Sequence, residues 1–223
     1  MSDPTRYIEV ALGSPDLHIS RVSVKDYRAD TVTVGYQGLP GNQAHANHNF
    51  VAIWEASVIP WTEPPLKRMP IVHNGQSGTI TINDLTITRS SYIIGYGVGE
   101  EISTICASTH LDAGGLRAAP TSVQLGINYV GTHSISVNYQ TLYGYLPHSY
   151  NNRIGLWKGY VSPYNAPEPL GSVHISKDSS EGNVGLNDVV IGINTAYTLI
   201  YFVGHQFTEA ASILTFITGQ ETS

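Results

Sequence analysis

The segment Asn49-Phe50-Val51-Ala52-Ile53-Trp54-Glu55 is answered 103 residues later by Asn152-Arg153-Ile154-Gly155-Leu156-Trp157-Lys158. A chain that repeats itself must build one pattern twice, and this restricts its architecture more than any single motif does. The same offset carries residues 30–36 onto 133–139 and Pro60-Trp61 onto Pro163-Tyr164. It drifts to 104 where Asn83-Asp84-Leu85 meets Asn187-Asp188-Val189, and to 105 where Tyr92 and Tyr96-Gly97-Val98-Gly99 meet Tyr197 and Tyr201-Phe202-Val203-Gly204. The drifts fall in segments that read as loops. The reading is a duplication, with units at 17–109 and 121–219 joined by a Gly/Ala-rich linker at 110–120. An N-terminal extension, 1–16, has room for one extra strand near 6–12.

Apolar and polar residues alternate, with β-branched enrichment, at 18–24, 31–36, 79–82 and 92–98, which predicts strands. Gly38-Leu39-Pro40-Gly41-Asn42 and Glu63-Pro64-Pro65 supply turn punctuation between them. Helical periodicity is scarce, so the expected class is all-β, a sandwich or barrel with about seven strands in each unit. Trp54 and Trp157 sit in mid-strand, where a large ring fills the space between two sheets. Asp84 and Asp188 precede the strands that lead to Tyr92 and Tyr197 and are read as turn residues.

The order Asn152-Arg153-Ile154-Gly155-Leu156-Trp157-Lys158-Gly159-Tyr160, then 197–203, then Ala211-Ser212 and Phe216, resembles the SKICH domain, whose fold is an Ig-like β-sandwich. The first unit keeps Ile53-Trp54, Tyr92, Tyr96 and Ala107-Ser108, with Ala52 and Glu55 in place of the Gly and Lys. A similar strand motif occurs in fibronectin-like domains. The resemblance implies two tandem Ig-like antiparallel β-sandwiches and a non-catalytic recognition or docking role. It carries over no catalytic residue.

Composition narrows the partners. The net charge is −6, from 11 Lys+Arg against 17 Asp+Glu, and charged residues make up 13% of the chain. Such a surface lacks the cationic footprint that draws counterion release from nucleic acid or attraction to anionic membranes. The N-terminus lacks the basic and apolar regions of a secretory signal. Apolar stretches such as 92–98 and 197–203 run about seven residues, against roughly 20 for a membrane-spanning helix. The single cysteine, Cys106, and the missing Asn-X-Ser/Thr acceptor suit a reducing compartment, so the expected location is the cytoplasm, or release without a signal peptide. Cys106 follows Ile105 in a strand and is expected to be a buried, inert thiol.

No GxSxG, HExxH, CxxC pair, P-loop or Gly-rich dinucleotide turn is present, and the expectation is a binding protein rather than an enzyme. The strongest ligand surface is the loop 142–150, with Tyr143, Tyr145, His148 and Tyr150, because Tyr-rich loops on a rigid sandwich form adaptable contact surfaces. Trp61, Tyr160 and Tyr164, on Pro-stiffened loops, offer further flat rings to a carbohydrate or protein, unless they pack the sandwich edge. His45 and His48 lie in a loop at the same end of an Ig-like sandwich as Glu100-Glu101, and imidazole with carboxylate suits a divalent transition metal. His148 and His205 hold the matching places in the second unit. The segment 177–183 offers oxygen ligands but lacks EF-hand spacing and contains a lysine, so it reads as a solvated turn. Three functions follow in order: a lectin-like recognition module, a structural or self-associating protein, and a metal-dependent enzyme.

Overall fold

The structure, a computed structural model, describes residues 7–10, 15–111 and 121–222. Two short strands, β1 (Tyr7–Val10) and β2 (Asp16–Ile19), precede β3 (Arg21–Tyr27), β4 (Val32–Gln37), β5 (Phe50–Trp54), β6 (Lys67–Pro70), β7 (Ser77–Ile82), β8 (Tyr92–Gly97) and β9 (Ile105–Leu111). A three-stranded sheet, β3-β4-β7, faces β6-β5-β8-β9. In immunoglobulin lettering these are A-B-E against C′-C-F-G. After β10 (Thr121–Ser122) come β11 (Gln124–Val130), β12 (Ser134–Gln140), β13 (Arg153–Lys158), β14 (Gly171–His174), β15 (Glu181–Asn187), β16 (Ala196–Phe202) and β17 (Ala210–Thr222). Here β11-β12-β15 faces β14-β13-β16-β17. Every described pairing is antiparallel, and the class is all-β with Ig-like, fibronectin-type sandwiches. Among the described residues no helix is long and apolar enough to cross a membrane.

The strand chemistry explains the layers. Phe50-Val51-Ala52-Ile53-Trp54 is buried at every position, as is Tyr92–Gly97, which is the signature of strands covered on both faces. β12 alternates between buried Ile135, Val137 and Tyr139 and half-buried Ser134, Ser136 and Asn138, so it shows one face to the core and one outward. Trp54 and Trp157 are buried, each indole N–H donating to a backbone carbonyl, Glu63 at 3.1 Å and Pro167 at 2.7 Å, but Trp157 does not fill the space between its two sheets: it alternates with Ile154 and Leu156 and packs on the other face, with Leu39, Ile200 and Phe202. Asp84 and Asp188 adopt φ of 55° and 58°, left-handed values that Asp tolerates in turns.

Two expectations about boundaries are corrected by the pairing. The strand read as continuous over 18–24 breaks at Ser20: β3 joins β4, but β2 crosses to the other half and pairs with β17, Ile19 opposite Ser212. The reciprocal crossing is made by β10, which leaves β11 to pair with β9, Ser122 opposite Ala107. The two crossings occupy corresponding positions, 19 against 122 and 107 against 212, and Ser20 N–H to Ala211 O (3.3 Å) matches Val123 N–H to Cys106 O (2.9 Å). Between them the Ser122 hydroxyl donates to the Ser20 carbonyl at 2.7 Å. His110 and Leu111 belong to β9 rather than to a linker, and the rest of that segment, 112–120, lies outside the described residues. In the N-terminal extension β1 pairs with β17.

One contiguous core, from Val22 to Phe216, draws on both halves. Leu39, from the loop after β4, joins a smaller cluster with Trp157, Ile200, Phe202, Ala210 and Ile213 of the C-terminal half. Burial therefore continues across the joint.

Candidate functional site

The aromatic loops turn inward at that joint. Tyr145 was expected at a ligand surface and is instead 1% exposed. Its hydroxyl donates to the Ser103 carbonyl of the other half at 2.5 Å and accepts from the Asn152 amide at 3.1 Å. Trp61 comes from the N-terminal half and packs edge-on against Tyr145, with centroids 4.8 Å apart, while Tyr150 closes the cluster at 5.1 Å from Tyr145. The Trp61 indole N–H donates to the Tyr143 carbonyl at 3.2 Å. Gly144 has φ +69°, a left-handed turn value that glycine adopts freely, and the Trp61 indole nitrogen lies in ordinary contact, 3.5 Å from where a Cβ would stand.

Tyr164 makes the reciprocal contact. It lies over Gly41 (φ +86°), 3.4 Å from where a Cβ would stand. Burial raises the phenols of Tyr145 and Tyr164 well above their ordinary value. Trp61 and Tyr164 thus reach from Pro-bearing loops onto turns of the opposing half, and with Tyr145 and Tyr150 they fasten the halves together. Tyr143 and Tyr160 remain outside, 78% and 71% exposed.

The loops carrying His45, His48, Glu100 and Glu101 do converge. His48 Nδ1 stands 3.6 Å from Glu100 Oε1, and all four residues line one shallow depression with Arg68. His45 Nδ1 is taken up as a donor to the Ile71 carbonyl at 3.1 Å, and Arg68 donates to the Glu100 carbonyl while lying over the Phe50 ring at 4.1 Å. Among the described residues no three His, Cys, Asp or Glu are gathered as a metal would need. His148 repeats the His45 arrangement, with Nδ1 donating to the Ile175 carbonyl at 3.2 Å, and His205 is exposed. In the turn 177–183, Asp178 accepts from the Ser149 N–H and hydroxyl at 2.9 and 2.7 Å, which holds its carboxyl below the usual range. Burial pushes the Cys106 thiol up to about 12, so it stays protonated and inert.

Joining the halves creates a cleft that no stretch of sequence announces. It measures about 290 Å³ and lies where β9, β10 and the start of β11 meet the loop after β12. Ile59, Ile93 and Leu142 give it apolar walls, Ser108, Thr121, Gln124, Gln140 and Ser180 bring hydroxyls and amides, and His110 brings one imidazole. Tyr143 stands at its rim. Ser108 and Thr121 hydroxyls bond each other at 2.6 Å. The chemistry is that of a pocket with apolar walls and neutral groups that both donate and accept.

No protein-family model matches the chain, and no curated protein does. Solved structures similar to it include a biofilm-associated protein BSP domain, at 13% identity and TM-score 0.28, covering 93% of this chain and 29% of that one. The FN1–FN3 domains of chicken CNTN1 align at 13% identity and TM-score 0.25, covering 94% and 64%. A DUF3823 family protein from Bacteroides uniformis aligns at 8% identity and TM-score 0.30, covering 92% and 98%. The chain thus spans less than two thirds of the first two, and scores this low lend nothing to the reading of the site.

Proposed function

We propose that the protein is a non-enzymatic recognition module, a duplicated fibronectin- or SKICH-like unit whose halves are fastened together so that a glycan is taken in the cleft between them. The observation that carries this reading is the cleft itself: neutral hydroxyl and amide side chains around apolar walls, with the Tyr143 ring projecting beside them. Sugars present the same two surfaces, hydroxyls that donate and accept and C–H faces that lie on rings. Glycan-array binding followed by titration calorimetry tests it. Saturable binding weakened about tenfold or more in Tyr143→Ala and Gln140→Ala, about 1.4 kcal/mol each, is expected. Binding of no glycan, or binding indifferent to both substitutions, would sink it.

A structural, self-associating role is the second reading, and the exchange of β2 and β10 favours it, since strands that pair across halves can pair across chains. It predicts mass that grows with concentration in light scattering. A fixed mass over that series removes it.

A further inference from the structure

Beside the cleft, the outward face of β11-β12-β15 carries a grid of amide side chains, with the carboxylate Glu181 at its edge opposite Gln140. Gln124 stands opposite Gln140, and Gly126 opposite Asn138, which in turn stands opposite Asn183. Residues at alternate positions share a face, and the intervening Leu125, Val137 and Tyr139 are buried, so these amides point out. They are linked to one another: Asn138 Nδ2 donates to Asn128 Oδ1 at 2.6 Å, and Asn128 Nδ2 donates to Asn183 Oδ1 at 2.7 Å and Ser136 Oγ at 3.3 Å. At Gly126 a Cβ would collide with the Asn138 amide, so the missing side chain is what lets that amide lie across the sheet.

The corresponding face of the N-terminal half is different. Arg21 and Lys25 hold the places of Gln124 and Asn128, and Gly35 holds that of Asn138. The amide grid is a property of the C-terminal half alone.

We infer that this amide face extends the glycan site, so that the ligand is a chain of several neutral sugars running from the cleft, over the Gln124 and Gln140 pair, onto Asn138 and Asn183. The inference rests on the cleft reading. Continuity is geometric: Gln124 and Gln140 line both the cleft and the shallow depression that also holds Asn138 and Asn183. The occupant follows from charge. A grid of amides matches a neutral polyol group for group, and Glu181, in the same depression, repels an anionic one. Bonds between the Asn side chains fix their orientation before the ligand arrives, which lowers the ordering cost of binding.

The test is calorimetry with neutral homo-oligosaccharides of several linkages, cello-, malto-, laminari- and manno-, each as disaccharide and hexasaccharide. A hexasaccharide bound at least tenfold more tightly than its disaccharide is expected. Asn138→Ala and Asn183→Ala should remove that gain and leave the disaccharide affinity unchanged, Tyr143→Ala should weaken both, and Thr79→Ala on the other half should change neither. Circular dichroism melts report that each variant is folded. Equal affinity for both lengths, or a gain untouched in both Asn variants, overturns the extended site while the cleft reading stands. Binding of no oligosaccharide by the folded protein overturns both.

Discussion

Two buried tyrosines at corresponding places meet different fates. In the N-terminal half the Tyr96 hydroxyl accepts from Asn49 at 2.6 Å and Asn42 at 3.2 Å. In the other half Tyr145 stands where Asn42 does, and Asn152, the counterpart of Asn49, bonds Tyr145. Among the described residues that leaves the buried Tyr201 hydroxyl, the counterpart of Tyr96, without a partner. Removing an acceptor from two buried amides costs about 1–3 kcal/mol, whereas removing an unpaired hydroxyl is neutral or stabilising. Tyr96→Phe should therefore lower the urea midpoint and Tyr201→Phe should hold or raise it. The opposite order would contradict the assignment. At Asp178, both Ser149 bonds lower the carboxyl pKa, so the residue stabilises the fold above the unfolded-state value, about 3.9, and that contribution is lost as pH falls through the lower folded value. The stability difference between the parent and Asp178→Ala should be present at pH 7 and close as pH drops below about 4. A difference independent of pH would show that Ser149 does not hold the carboxylate.

At the scale of elements, β2 and β10 decide how the molecule is joined. Each is short, four and two residues, and each leaves its own half to finish the last strand of the other. Amide hydrogen exchange at 16–19 should report this. Protection there should match that of Ser212 to Thr215 and disappear with it in one cooperative opening. Fast exchange at 16–19 beside a protected β17 would contradict the crossing. The sequence predicts the strands themselves well, because alternation such as Val32, Val34 and Tyr36 against Thr31 and Thr33 is a local property. Nothing local says that a strand over 18–24 changes partners at Ser20, since pairing is settled by residues nearly 200 positions away. The aromatic loops show the same limit. The sequence places Trp61, Tyr145, Tyr150 and Tyr164 in loops, but whether a loop ring faces solvent or a second layer depends on what the opposing half presents, here the turns at Gly41 and Gly144 and the Ser103 carbonyl.

The whole molecule combines low charge, a core continuous across both halves and one neutral cleft at their joint. The cleft is assembled from 58–59, Ile93, Ser108, His110, 121–124, 140–143 and Ser180, positions that no periodicity connects, so it becomes legible only in the fold. His45, His48, Glu100 and Glu101 were legible as neighbours, because Ig-like topology brings their two loops to one end. What it left open was the use of His45 Nδ1 by a backbone carbonyl and the approach of Arg68.

The most direct measurement of the central claim is amide and side-chain NMR mapping of the full protein titrated with the neutral hexasaccharide panel. Glycan uptake in the cleft predicts saturable shifts at Ser108, Thr121, Gln124, Gln140 and Tyr143, joined by Asn138 and Asn183 where the hexasaccharide runs onto the amide face. Shifts concentrated instead around His45, His48, Glu100 and Glu101, or no shift with any member of the panel, would contradict it.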